Sequence, residues 1–141
     1  MDRLDGAPTD AELVDLLRRE LPGSRNDGLV AVYRFGSTSR GQERPESDVD
    51  LAFLATSTPD PVTVFDAAQA LAAALGRDVD LVDLSTASTV MRAQVVGAGT
   101  RIHTGDARAV ACFEMYALSD YARLEEERAE AAAAFESRYR G

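Results

Sequence analysis

Apolar residues recur at two spacings along this chain, one helical and one strand-like, and the switches between them lay out its elements. Leu13, Leu16, Leu17 and Leu21 share one side of a helix. Thr9 stands three residues before Glu12, the capping-box arrangement that opens such a helix, and Pro22-Gly23 ends it. Residues 24–28 read as loop. Leu29–Phe35 is an apolar run broken only by Arg34, a first strand that stops at Gly36-Ser37. Residues 38–40 suit one helical turn, and the polar stretch 42–47, with Pro45 in it, is a crossing loop. Residues 48–54 form a second strand whose Val49, Leu51 and Phe53 face a helical layer while Asp48 and Asp50 take the opposite side.

Farther on, Asp60-Pro61 supplies a cap and a first helical residue. The helix they open runs to Leu75, with Val64, Phe65, Ala68, Leu71, Ala72 and Leu75 turned inward and Gly76 as its terminator. The segment RDVDLVDL, residues 77–84, is a third strand with Asp78 and Asp80 on one face and Val79, Leu81 and Asp83 on the other. Thr86 or Ser88 begins a short helix that closes near Gly97 and Gly99, and residues 101–103 make a short edge strand. Asp106 caps a last helix over residues 107–139, striped by Val110, Phe113, Ala117, Tyr121 and Leu124. Beyond Leu124 come strong helix formers with few large apolar groups, Phe135 and Tyr139 being the exceptions. That stretch is either a solvated tail or a surface on which a partner docks. The alternation predicts an α/β fold: a small mixed sheet, flanking helices and a long C-terminal helix, all within one domain over residues 9–141.

Length and charge narrow the partners. At 141 residues the chain suits one modest core, and 45% apolar residues are enough to fill it. The net charge of −9 opposes a groove that tracks the phosphates of an extended nucleic acid. No stretch reaches the length of a membrane span, and the first residues lack a signal core. The single cysteine, Cys112, excludes an internal disulfide framework and fits the cytoplasm; in its apolar helix it is expected to be buried filler. The single histidine, His103, is too little for a histidine-based metal centre.

The chemistry gathers at one place. Asp48 and Asp50 project from the same side, roughly 6–7 Å apart along the strand. Like charges so close repel unless a cation lies between them, and magnesium is bound by one or two carboxylates together with substrate phosphates. The Gly36-Ser37 turn offers free backbone N–H groups and a hydroxyl to phosphate oxygens. A third carboxylate, Asp80 or Asp78, lies in the apolar run that follows.

Gly36-Ser37, ten intervening residues, then Asp48-Val49-Asp50-Leu51 resembles the signature of the DNA polymerase β-like nucleotidyltransferases. GSTSRG followed by SDVDLAFL is most similar to the minimal nucleotidyltransferases, among them the MntA antitoxins of HEPN–MNT toxin–antitoxin pairs, and VDLVDL matches the strand of the third carboxylate. The resemblance covers about residues 13–106. It implies that Gly36 and Ser37 grip the phosphates of ATP, with Arg40 as a further phosphate contact. It also implies that Asp48, Asp50 and Asp80 hold two magnesium ions, Asp80 assisting loss of the acceptor proton. The implied reaction moves an adenylyl group from ATP to an acceptor hydroxyl and releases pyrophosphate. The implied acceptor is a tyrosine of a cognate HEPN ribonuclease toxin. Two alternatives stand beside it: transfer to an aminoglycoside-like small molecule, with a homo-oligomer supplying the missing wall, and a binding module that neutralises its partner by occlusion.

Overall fold

The computed structural model describes residues 7–21, 28–36 and 48–140. Helix α1 (Asp10–Glu20) opens on the expected capping box, with the Thr9 and Glu12 side chains each accepting from the other's backbone N–H. Strands β1 (Leu29–Phe35) and β2 (Val49–Ala55) follow, then helix α2 (Pro61–Leu75) between Asp60 as N-cap and Gly76 in the left-handed region. Strand β3 (Val79–Asp83), helix α3 (Thr89–Ala98), strand β4 (Thr100–Thr104) and helix α4 (Ala107–Arg140) complete the chain.

The sheet order is β3-β2-β1-β4. β1 pairs antiparallel with both β2 and β4, while β2 and β3 run parallel, so the sheet is mixed. The crossover through α2 is what permits the parallel pair. Because strand side chains alternate, each face has its own core. Leu29, Val32, Val49, Leu51 and Phe53 meet Leu13, Leu17, Ala67 and Leu71 of α1 and α2. On the other face Val30, Ala31, Tyr33 and Ala52 meet Val95 of α3 and Val110 of α4. Two layers of helices thus fix β2 from both sides, and it cannot slip by one residue without exchanging its buried and polar sets.

Two expectations need correction. Phe65 is largely exposed, as is Val62; the inward row of α2 is Val64, Ala67, Leu71 and Leu75. That helix is apolar on almost every side, so its period could not single out the buried face. Cys112 is exposed rather than buried. It stands five residues before the buried Ala117, which at 100° per residue turns it to the outer side of α4.

Candidate active site

Strand register brings the carboxylates together. Phe35, the last residue of β1, lies opposite Asp50, and Asp50 lies beside Asp80 across the parallel pair. All three side chains emerge on the face that α3 and α4 cover, at the end of the sheet where β1 finishes and β2 and β3 begin. Asp48 stands just before β2 rather than within it. The Val49 N–H donates to the Asp78 carbonyl at 2.9 Å, which locks the starts of β2 and β3 side by side. Of the two candidates for a third carboxylate, Asp80 is the one in register with Asp50.

Gly36 is shaped by the same register. It adopts φ +69°, and a Cβ placed on it would collide with the carboxylate of Asp50. The missing side chain is therefore the space that the Asp50 carboxylate occupies. Burial, then the carboxylates of Asp80 and Asp48, hold the Asp50 carboxyl above the ordinary carboxylate range. Among the described residues no hydrogen bond or ion pair reaches the carboxylates of Asp48, Asp50 or Asp80. Nor is any group of three or more His, Cys, Asp or Glu among the described residues placed to hold a metal ion on its own. The arrangement is an open, electronegative edge. Ser37 and Arg40, and the turn and crossing read from residues 38–47, lie outside the described residues.

A hollow of about 510 Å³ opens beside Asp48, lined by Gln69, Gly76, Arg77 and Asp78 at the C-terminal turn of α2. Sequence reasoning did not find it, because it is formed by an end of a helix and a strand start distant in sequence from Asp48. A second feature it missed braces the site from behind. The buried Tyr33 hydroxyl donates to Glu114 Oε2 at 2.6 Å, and Arg101 Nη1 donates to the same oxygen at 2.7 Å. Burial, and then that hydrogen bond, push the Tyr33 phenol well above its usual range. β1, β4 and α4 are tied at one carboxylate. Nothing in an apolar strand such as LVAVYRF signals that its tyrosine will meet a glutamate eighty residues on.

At the far end of β3 a fourth carboxylate behaves differently. Asp83 is buried, and its Oδ1 accepts from the Ser85 N–H at 2.9 Å and the Ser85 hydroxyl at 2.7 Å.

The pattern has known counterparts. Residues 23–108 match the family model "Polymerase beta, Nucleotidyltransferase". The protein adenylyltransferase MntA of Shewanella oneidensis is 40% identical over 117 residues, 83% of this chain and 80% of that protein. A toxin–antitoxin crystal structure with AMP-PNP superposes with a TM-score of 0.78 at 36% identity, covering 91% of this chain and 98% of the other. A complex of the tri-AMPylated Shewanella oneidensis HEPN toxin with its MNT antitoxin superposes with a TM-score of 0.72 at 35% identity, covering 89% and 94%. With the mixed four-stranded sheet, its flanking helices and the long C-terminal helix, these likenesses establish that the chain belongs to the polymerase β nucleotidyltransferase family, in the branch of the MntA protein adenylyltransferases.

Proposed function

We propose that this protein transfers an adenylyl group from ATP to a tyrosine hydroxyl of a HEPN-type toxin and so serves as the antitoxin of the pair. The observation that carries the proposal is the register that sets Asp50 beside Asp80, with Gly36 opened to receive the Asp50 carboxylate. The likeness to a relative whose HEPN toxin carries AMP supplies the class of acceptor.

The donor set suits magnesium. Asp50 is pushed toward protonation by burial and by its acidic neighbours, a cost that a hard cation would remove, and an open edge leaves room for phosphate oxygens to share such an ion. Asp48, Asp50 and Asp80 would hold the metal, which when bound offsets the charge of the phosphates and lowers the pKa of the acceptor hydroxyl. Gly36, with Ser37 and Arg40 beyond it, is assigned to the triphosphate. The acceptor oxygen bonds to the α-phosphorus, the bond from that phosphorus to the leaving pyrophosphate breaks, and the hydroxyl proton passes toward Asp80. Asp50 fixes the geometry from the middle of the row. The exposed lone thiol of Cys112 suits the reducing cytoplasm. Among the described residues no helix is long and apolar enough to cross a membrane.

The test is which phosphate moves. ATP labelled at the α-phosphate should label the HEPN protein, and ATP labelled at the γ-phosphate should not. Label from the γ-position would make the protein a kinase and overturn the assignment. The hollow beside Asp48 favours a second reading, transfer to a small hydroxylated acceptor, which predicts labelled small product and an unlabelled HEPN protein.

A further inference from the structure

Helix α4 is too long for the sheet it covers. At 1.5 Å per residue it spans roughly 50 Å, against about 23 Å for the seven residues of β1 or β2. Its direction is fixed at two points. The turn before it is anchored near the start of β1, where the Gly105 N–H donates to the Val30 carbonyl. Glu114 then meets Tyr33 and Arg101, farther toward the carboxylate end. α4 therefore runs toward the end of the sheet that carries Asp50 and Asp80, on the same face, and continues past it.

The row that packs does not stop where the packing stops. Val110 and Ala117 are buried, and Phe113, Tyr121 and Leu124 half-buried. From residue 125 to 140 every side chain is exposed. Phe135 lies about five turns on from Ala117, in the same row, and Tyr139 one turn later. The two rings rest against each other at a centroid distance of 4.6 Å although they are 64% and 69% exposed. An aromatic pair left in water, on the side of the helix that faces back across the open end of the sheet, has the composition of an interface anchor.

We propose that residues 125–140 form a docking arm for the acceptor protein itself, with Phe135 and Tyr139 as anchors, holding its hydroxyl over the Asp50–Asp80 edge. The proposal rests on the transfer reaction set out above and names the surface that selects its substrate. Two features identify the occupant. The arm overhangs the carboxylate end and no other part of the sheet, so whatever it holds is placed at the reacting groups. It also carries five glutamates, Glu125, Glu126, Glu127, Glu130 and Glu136, against three arginines, Arg128, Arg138 and Arg140. All of the glutamates but Glu136 gather at its base toward the carboxylate edge, in a chain of net charge −9, while Arg138 and Arg140 flank Tyr139 at its tip. This calls for a partner that is basic near the reacting groups and offers an apolar recess with acidic neighbours to the aromatic pair. Small acceptors gain nothing from such an arm.

The test pairs Phe135→Asp with Tyr139→Asp, both exposed positions where folding is not at stake. The full chain and the variant are titrated with the cognate HEPN protein by calorimetry, and adenylylation is measured over a range of HEPN concentration. We expect the dissociation constant and the KM for the HEPN protein to rise at least ~10-fold, as removal of paired aromatic anchors does elsewhere. The KM for ATP, the rate at saturating acceptor and the melting temperature should be unchanged. Unaltered affinity for the HEPN protein would overturn the proposal and leave the arm a solvated tail. So would a wild-type chain that dimerises through these residues, with the variant monomeric and equally active. Because calorimetry does not require turnover, a wild-type complex that forms but never gains adenylyl groups would defeat the transfer reaction while the binding data still decided the arm.

Discussion

The two ends of β3 carry the same chemical group in opposite circumstances. At the closed end Asp83 is buried and satisfied, its oxygen receiving two hydrogen bonds from Ser85. At the open end Asp80 is exposed and lies alongside Asp50, and its carboxylate takes no hydrogen bond from any described residue. A carboxylate that has spent its acceptors on its own turn stabilises the fold. A row of carboxylates that repel one another is stable only until something positive arrives, and its repulsion is available for binding. Partners separate the two, since residue type and strand are identical: Asp83 is satisfied within the fold, and the Asp80 carboxylate is left open.

The contrast is broken most severely by exchanging the two roles. Asp80→Asn should lower transfer at least ~100-fold, the order seen when electrostatic stabilisation of a transition state is lost, with little change in melting temperature. Asp83→Ala should do the reverse, costing about 1–3 kcal/mol of stability by leaving the Ser85 donors unpaired while transfer per folded molecule persists. Rate assays beside thermal melts read both, and a reversed pair of results would place the register one residue out.

Gly36→Ala is expected to act next most strongly. The left-handed backbone costs about 1–2 kcal/mol for a residue with a Cβ, and the new methyl displaces the Asp50 carboxylate. Transfer should fall about tenfold or more beyond what the lost stability explains, through an effect of the same size as one misplaced charged contact. Full activity in this variant would mean that Asp50 is not held where the glycine leaves room for it.

Tyr33→Phe acts from behind the site. It removes a hydrogen bond to a charged partner, worth about 1.5–3 kcal/mol, yet touches no group at the open edge. Denaturant melts should shift by that amount while transfer changes little, because Arg101 still engages Glu114.

The smallest effect is also the most specific to charge. The carboxyl of Asp50 is raised in the fold above its ordinary value of 3.8, so its ionisation opposes folding. That opposition is absent below the ordinary value and complete above the raised one. Asp50→Asn should therefore raise the melting temperature of the metal-free protein at neutral pH, with the advantage shrinking as acid protonates the wild-type group. Magnesium should stabilise the wild type and not the variant. A melting temperature lowered at neutral pH by Asp50→Asn would show that Asp50 is not repelled by its neighbours.

Local features were readable from the chain because local rules govern them. The Thr9–Glu12 box, the Asp60 cap and the Gly76 terminator all appear as expected, since each needs only residues within a turn of itself. The alternation that puts Val49, Leu51 and Phe53 under helices and Asp50 opposite is equally local. What brings Asp80 rather than Asp78 level with Asp50 is a parallel pairing across a helical crossover, and no spacing within either strand encodes it. The Tyr33–Glu114–Arg101 brace is hidden for the same reason, as is the exposure of Phe65 on a helix apolar all round. Cys112 was legible in principle. Its angular offset from the stripe through Ala117 outweighs its apolar neighbours.

The measurement closest to the central claim is the intact mass of the cognate HEPN protein after incubation with this chain, ATP and magnesium. A gain of one or more units of about 329 Da is expected, the mass of an adenylyl group transferred at the α-phosphate. The gain should vanish when Asp48 and Asp50 are both changed to Asn, while the complex between the two proteins still forms. An unchanged mass, together with inhibition of the partner that is just as complete without ATP, would rule out adenylyl transfer as the means of neutralisation and leave occlusion as the mechanism.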